Sequence, residues 1–144
     1  MRIQSKARRG VLIGVLLPFC LMTIASGQQQ TPIMGVGLAR RILTAALSDK
    51  GITKRPGFDL EYYDGKIPGF YFFAADWDTS RSSMAAGTSH YAVNRVTGDI
   101  WEVPGCGIVT SRHADKLKVD VAKWMHLGNE DYTKAAELRP CPYP

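Results

Sequence analysis

The chain has 144 residues and a formal net charge of +5, from 18 Lys and Arg against 13 Asp and Glu. Four of those cations, Arg2, Lys6, Arg8 and Arg9, fall in the first 27 residues with no acid among them; taking four from 18 leaves 14 against 13, a net of +1. The remaining stretch of about 117 residues is one domain able to bury a core, without the basic stripe that nucleic-acid binding needs.

The first 27 residues read as an export signal. The cations form a positive leader, Val11 to Ile24 is mostly apolar, and Ala25-Ser26-Gly27 supplies small residues where a signal peptidase would cut. Gln28 is then the expected new N-terminus. The apolar run is short for a membrane span, which needs about 20 residues. Contact with a membrane is expected only if this segment is retained. Cys20 leaves with the signal, and Cys106 and Cys141 remain as an even pair. In an oxidising compartment they are expected to form a disulfide tying the end of the sheet to the C-terminal tail. The protein is therefore expected outside the cytoplasm, in the periplasm or beyond.

The domain, residues 28–144, opens on a helix. Thr31-Pro32 supplies a cap and a first-turn proline. Ile33, Val36, Ile42, Leu43, Ala46 and Leu47 recur at helical spacing, and Gly51 is a natural stop. Phe58 to Tyr63 alternates as a strand, with Phe58, Leu60 and Tyr62 on one side. Asp64-Gly65 and Pro68-Gly69 mark turns. Phe70 to Trp77 is a longer strand: Phe70, Phe72, Ala74 and Asp76 share one face, and Tyr71, Phe73, Ala75 and Trp77 the other. Apolar residues on both faces predict a central strand covered on both sides, or an aromatic groove on the second.

Gly87 to Val103 reads as a hairpin. Tyr91 and Val93 point one way, and His90, Ala92 and Asn94 the other. Asn94 to Asp99 holds the turn, where Gly98 can take positive φ. Thr110 or Ser111 then caps a helix whose apolar stripe is Ala114, Leu117, Val121, Trp124 and Met125, with Lys116, Lys118, Asp120 and Lys123 on its wet face. Gly128 stops it, and Asn129 caps a short helix from Glu130 to Leu138. The predicted fold is α+β: an N-terminal helix, a four-stranded antiparallel meander, a C-terminal helix and a short helix, with the helices on one sheet face. The other face is left as the natural binding surface.

Residues for chemistry are sparse. No HExxH, GxSxG, phosphate loop or dinucleotide fingerprint occurs, so neither a metal site nor a cofactor is expected, and no catalytic residue is assigned. Asp76 and His90 are the pair that acid–base chemistry on the sheet face would use. The segment between the second and third strands, residues 78–87, is longer than a tight turn needs, and long loops concentrate binding residues. Trp77, Asp78, Arg81 and Met84, with Asp76 and His90, form the expected binding set.

The run Tyr91-Ala-Val-Asn-Arg-Val-Thr-Gly-Asp-Ile-Trp101 resembles the "YxV…TGxV" hairpin of nuclear-transport-factor-two-like immunity proteins and of PepSY-type domains. The similarity spans Phe70 to about Met125. It implies a cone-shaped α+β domain that binds something, often another protein, and carries over no catalytic residue. Three functions stay open. The first is an exported binding module of inhibitor or immunity type, acting through the open sheet face and the 78–87 loop. The second is a small periplasmic hydrolase or isomerase, and the third an envelope protein with a retained anchor.

Overall fold

A computed structural model describes residues 31–78 and 87–141; the expected signal segment falls within residues 1–30, which with 79–86 and 142–144 lie outside the described residues. The elements are α1 (Val36–Asp49), β1 (Asp59–Tyr63), β2 (Phe70–Trp77), β3 (Gly87–Asn94), β4 (Ile100–Val103), β5 (Gly107–Ile108), α2 (Arg112–Trp124) and α3 (Asn129–Ala136), with a 3₁₀ turn at Ile52–Lys54. The strands form one sheet in the order β1-β2-β3-β4-β5, and every neighbouring pair is antiparallel. The α+β class is as expected, and a two-residue fifth strand extends the meander.

Helices α1 and α2 pack on one face of the sheet. Leu60, Phe73, Ala75, Tyr91, Val93 and Ile100 meet Ala39, Ile42, Leu43, Ala46 and Leu47 of α1 and Ala114, Val121 and Met125 of α2 in the main core. The second face carries a smaller cluster of Phe70, Phe72, Ala92 and Trp101. Alternation along β2 therefore places one aromatic set in each cluster, and the expectation that both faces are used holds.

Several helix boundaries differ from expectation, each for a local reason. Thr31-Pro32 does not open α1, which begins at Val36 behind Gly35. Met34 is buried, its N–H donates to Arg95 O at 2.9 Å, and its carbonyl accepts from the Tyr71 hydroxyl at 2.8 Å. Those sheet contacts hold residues 31–35 outside the helix and leave Ile33 and Val36 exposed. Asn129 does not cap α3 but is its first residue, after Gly128. Trp124 leaves the apolar stripe of α2: it is 73% exposed in the helix's final position. Ser111 is the α2 cap, its hydroxyl accepting from Ala114 N–H at 3.1 Å.

The stop of α2 also moves, from Gly128 to His126, which adopts a left-handed φ of 51°. A residue with a Cβ carries a steric penalty there that glycine avoids. His126→Gly is expected to raise stability by about 0.5–1 kcal/mol, read as a higher urea midpoint at unchanged slope. A lower midpoint would mean that the imidazole contributes more than its backbone strain costs.

Two polar clasps lock the layers. Lys118, expected on the wet face of α2, instead reaches the hairpin turn, with Nζ 3.0 Å from Asp99 and 2.8 Å from Asp115. Burial works against its charge, but the hydrogen bonds to both carboxylates outweigh it, so its pKa lies above the ordinary lysine value. Asn94, at the end of β3, binds the turn and α3 together. Its Oδ1 accepts from Val96 and Thr97 N–H at 2.9 and 3.1 Å, and its Nδ2 donates to Ala135 O at 2.8 Å.

Candidate functional site

The second sheet face divides into a closed half and an open half. On the closed half Phe70 and Phe72 are buried, as are Ala92 and Trp101. The β1–β2 loop covers part of it: a Cβ at Gly65 would lie 1.9 Å from Phe72 Cδ2, so only glycine fits over that ring. The C-terminal tail covers the rest. Arg139 stacks its guanidinium 4.7 Å from the Trp101 ring centre, Pro140 is fully buried, and Cys141 is bonded to Cys106. The expected disulfide is thus present, and it is compatible with export.

The open half is built by register. Asp59 lies opposite Asp76, and Asp76 opposite Thr88; Glu61 lies opposite Ala74, and Ala74 opposite His90; His90 lies opposite Val103. Directly opposed residues of antiparallel strands point to one face, so these side chains share the surface. Asp59, Glu61, Thr88 and His90 are exposed. Thr88 Oγ1 donates to Asp76 Oδ1 at 2.6 Å. Tyr63 meets His90 edge-on at 5.7 Å, with its hydroxyl 3.3 Å from Nδ1. Burial raises the phenol's pKa, so the hydroxyl is protonated at neutral pH.

Asp76 and His90 therefore share the open half, but each has another partner, Thr88 and Tyr63. Trp77 points the other way. Its indole packs against the main core, over Gly87, where a Cβ would lie 1.7 Å from Nε1, and under Arg55, whose guanidinium is 4.4 Å from the ring centre. Asp78 follows β2 and its N–H donates to Pro56 O at 2.8 Å. Arg81 and Met84 lie outside the described residues. The binding set is thus brought together only in part.

The chain shares its fold with one chain of a known molecular pair. In the structure of a type VI secretion system effector-immunity complex from Pseudomonas protegens, one chain superposes with a TM-score of 0.55 at 22% identity, over 73% of this chain and 88% of that one. No family model and no curated protein sequence matches. At that identity the likeness establishes the fold.

The β1 edge of the sheet is covered by side chains at Leu60. On the edge strand β1 both backbone groups of Leu60 have side-chain partners: its N–H donates to Asp59 Oδ1 at 2.8 Å, and its carbonyl accepts from Arg40. That blunts strand-to-strand pairing at this edge. Between α1 and α2 lies a groove of about 630 Å³, with Ala45 and Leu117 in its lining and Lys54, Lys116, Asp49 and His113 around it. Among the described residues no three His, Cys, Asp or Glu side chains gather as a metal site would require. No helix of the described residues is long and apolar enough to cross a membrane.

At one end of that groove Asp49 joins the two helices, a convergence that no local sequence signal announces. Its carboxylate accepts from Ser111 Oγ at 2.6 Å and lies 2.6 Å from His113 Nδ1. Asp49 ends α1, where the helix dipole disfavours an anion, yet it meets the start of α2, where the dipole favours one. The hydrogen bonds from Ser111, then from His113, hold its pKa below the ordinary 3.8. Ser111 donates to the carboxylate rather than to an imidazole, so this is a clasp and not an activated nucleophile. A depressed carboxylate pKa gives stability that is present above the unfolded value and lost as pH falls through the folded one. Melting temperatures scanned from pH 5 to 2 are therefore expected to fall further below about pH 4 in the wild type than in Asp49→Asn, with the two curves converging in acid. Parallel curves would show that the clasp adds nothing to folding.

Proposed function

We propose that the chain is an exported binding protein of inhibitor or immunity type that holds another protein against the open half of its sheet. The observation that carries this reading is that open half, a patch around Asp59, Glu61, Asp76, Thr88 and His90 on a sheet otherwise covered by helices and tail. The likeness to a chain of an effector-immunity complex supports it. The closed edge at Leu60 favours docking on the face over strand addition. The residue 78–87 segment, with Arg81 and Met84, joins β2 and β3 beside Asp76 and Thr88, and is proposed to complete the contact.

The test is affinity capture from envelope and culture fractions with the chain from Gln28 as bait. One protein retained in stoichiometric amount is expected, and Asp76→Arg with Glu61→Arg should abolish its retention while Asp120→Arg on α2 leaves it intact. Retention indifferent to the face variants, or no protein retained, overturns the reading. A hydrolase or isomerase on the same face has less support, because Asp76 and His90 bond to Thr88 and Tyr63 rather than to each other.

A further inference from the structure

The second sheet face is closed over Trp101 by very little protein. Across the β4–β5 pairing, Ile108 lies opposite Trp101 and is 60% exposed, whereas Trp101 is 7% exposed. Neither α1 nor α2 reaches this side, since both pack on the opposite face. Over the indole lies the Arg139 guanidinium of the tail after α3, a tail in which Pro140 is buried and Leu138 approaches Gly69.

We propose that residues 138–141 form a redox-fastened strap, held over Trp101 by the Cys106–Cys141 bond and released by dithiol reduction. The strap is tied at both ends. At one end the Asn94 amide holds the last turn of α3 through Ala135 O. At the other, the disulfide fixes Cys141 to the β4–β5 turn, 35 residues away in sequence. Between them Leu138, at 44%, and Arg139 are exposed. Without the covalent tie, what holds residues 138–141 to the sheet among the described residues is the stacked Arg139 guanidinium, the buried Pro140 and Leu138 beside Gly69. The Arg139 hydrogen bonds are local, to Ala136 O and Leu138 O. So few long-range contacts open at low cost.

The chemistry balances simply. A dithiol reductant attacks one sulfur of the Cys106–Cys141 bond and passes through a mixed disulfide. It leaves as its own disulfide after delivering two electrons and two protons, and the chain gains two thiols. Oxidation by a protein disulfide returns the strap. The reduced chain therefore shows an aromatic patch at Trp101, and oxidation seals it. Phe72 behaves differently, because its cover is the loop at Gly65 and not the strap.

Hydroxyl-radical footprinting read by mass spectrometry tests this, since it resolves Trp101 from Trp77 and Trp124. On reduction with dithiothreitol, labelling of Trp101 is expected to rise several-fold, while Phe72, Phe73 and the already exposed Trp124 keep their rates. The Cys106→Ser/Cys141→Ser variant should match the reduced protein without any reductant. An unchanged Trp101 rate with both thiols free overturns the strap. So does a parallel rise at Phe73 and Trp77, which would make the disulfide a tie for the whole fold.

Discussion

Asn94→Ala is expected to destabilise the protein by about 2–4 kcal/mol, because it strands three backbone groups at once. The side chain is 1% exposed. Its carbonyl satisfies Val96 and Thr97 N–H inside the hairpin turn, and its amide satisfies Ala135 O at the end of α3. Each orphaned group costs about 1–3 kcal/mol where water cannot reach it. The turn offsets part of that sum, since its tip has other supports in Thr97 Oγ1 to Asp99 and Lys118 Nζ to Asp99. Asn94→Asp separates the two halves of the role. It keeps the acceptor for the turn, loses the donor to Ala135, and sets a carboxylate against a carbonyl in a buried site. Urea denaturation of both variants is the check. A loss under about 1 kcal/mol in each would mean that α3 and the hairpin are held together by something other than this amide.

Asn94 also shows where the chain can be read residue by residue and where it cannot. As a turn former before Thr97-Gly98 it is visible, and Gly98 does take φ 74°. Its bond to Ala135 is not, because 41 residues separate them and nothing local announces the contact. The same division runs through the chain. The strands emerge from alternation in Phe70–Trp77 and Gly87–Asn94, and the Cys106–Cys141 pairing from there being two cysteines left to pair. Boundaries shift where tertiary contacts override local signals, as when Met34 bonds to Arg95 and Tyr71 and keeps Thr31-Pro32 out of α1. Trp124 departs for another reason: it satisfies the helical period, but α2 ends there and the ring is left 73% exposed.

The candidate site divides in a comparable way. Period two within β2 puts Asp76 on one face and Trp77 on the other, but that His90 shares the Asp76 face follows only from the β2–β3 register. Alternation cannot show that half of the second sheet face is roofed, because neither the loop at Gly65 nor Arg139-Pro-Cys141 carries a periodic signal. Nor can it show that Asp49, Ser111 and His113 converge, since each looks like an ordinary helix-end residue. The open half thus owes its limits to two features without local pattern, the loop at Gly65 and the tail at Arg139.

Phe73→Ala is expected to cost about 3–5 kcal/mol, the range for removing a fully buried aromatic ring. Phe73 has no exposed surface and lies in the middle of β2, inside the cluster that joins the sheet to α1 and α2. Tyr62 meets its ring edge-on at 5.9 Å, and the Arg40 guanidinium lies 5.9 Å from its centre. Arg40 also holds the Leu60 carbonyl on the edge strand, so the loss reaches β1 as well as the core. Phe72→Ala should cost less, because its cluster is smaller and the loop at Gly65 can settle into the space. A double-mutant cycle of Arg40→Ala with Phe73→Ala is expected to return a coupling of about 0.5–1 kcal/mol, the size of a partly exposed cation–π contact. Additive losses would separate the two roles of Arg40: its cover of the Leu60 carbonyl on the edge strand would then stand without the ring and survive loss of the core aromatic.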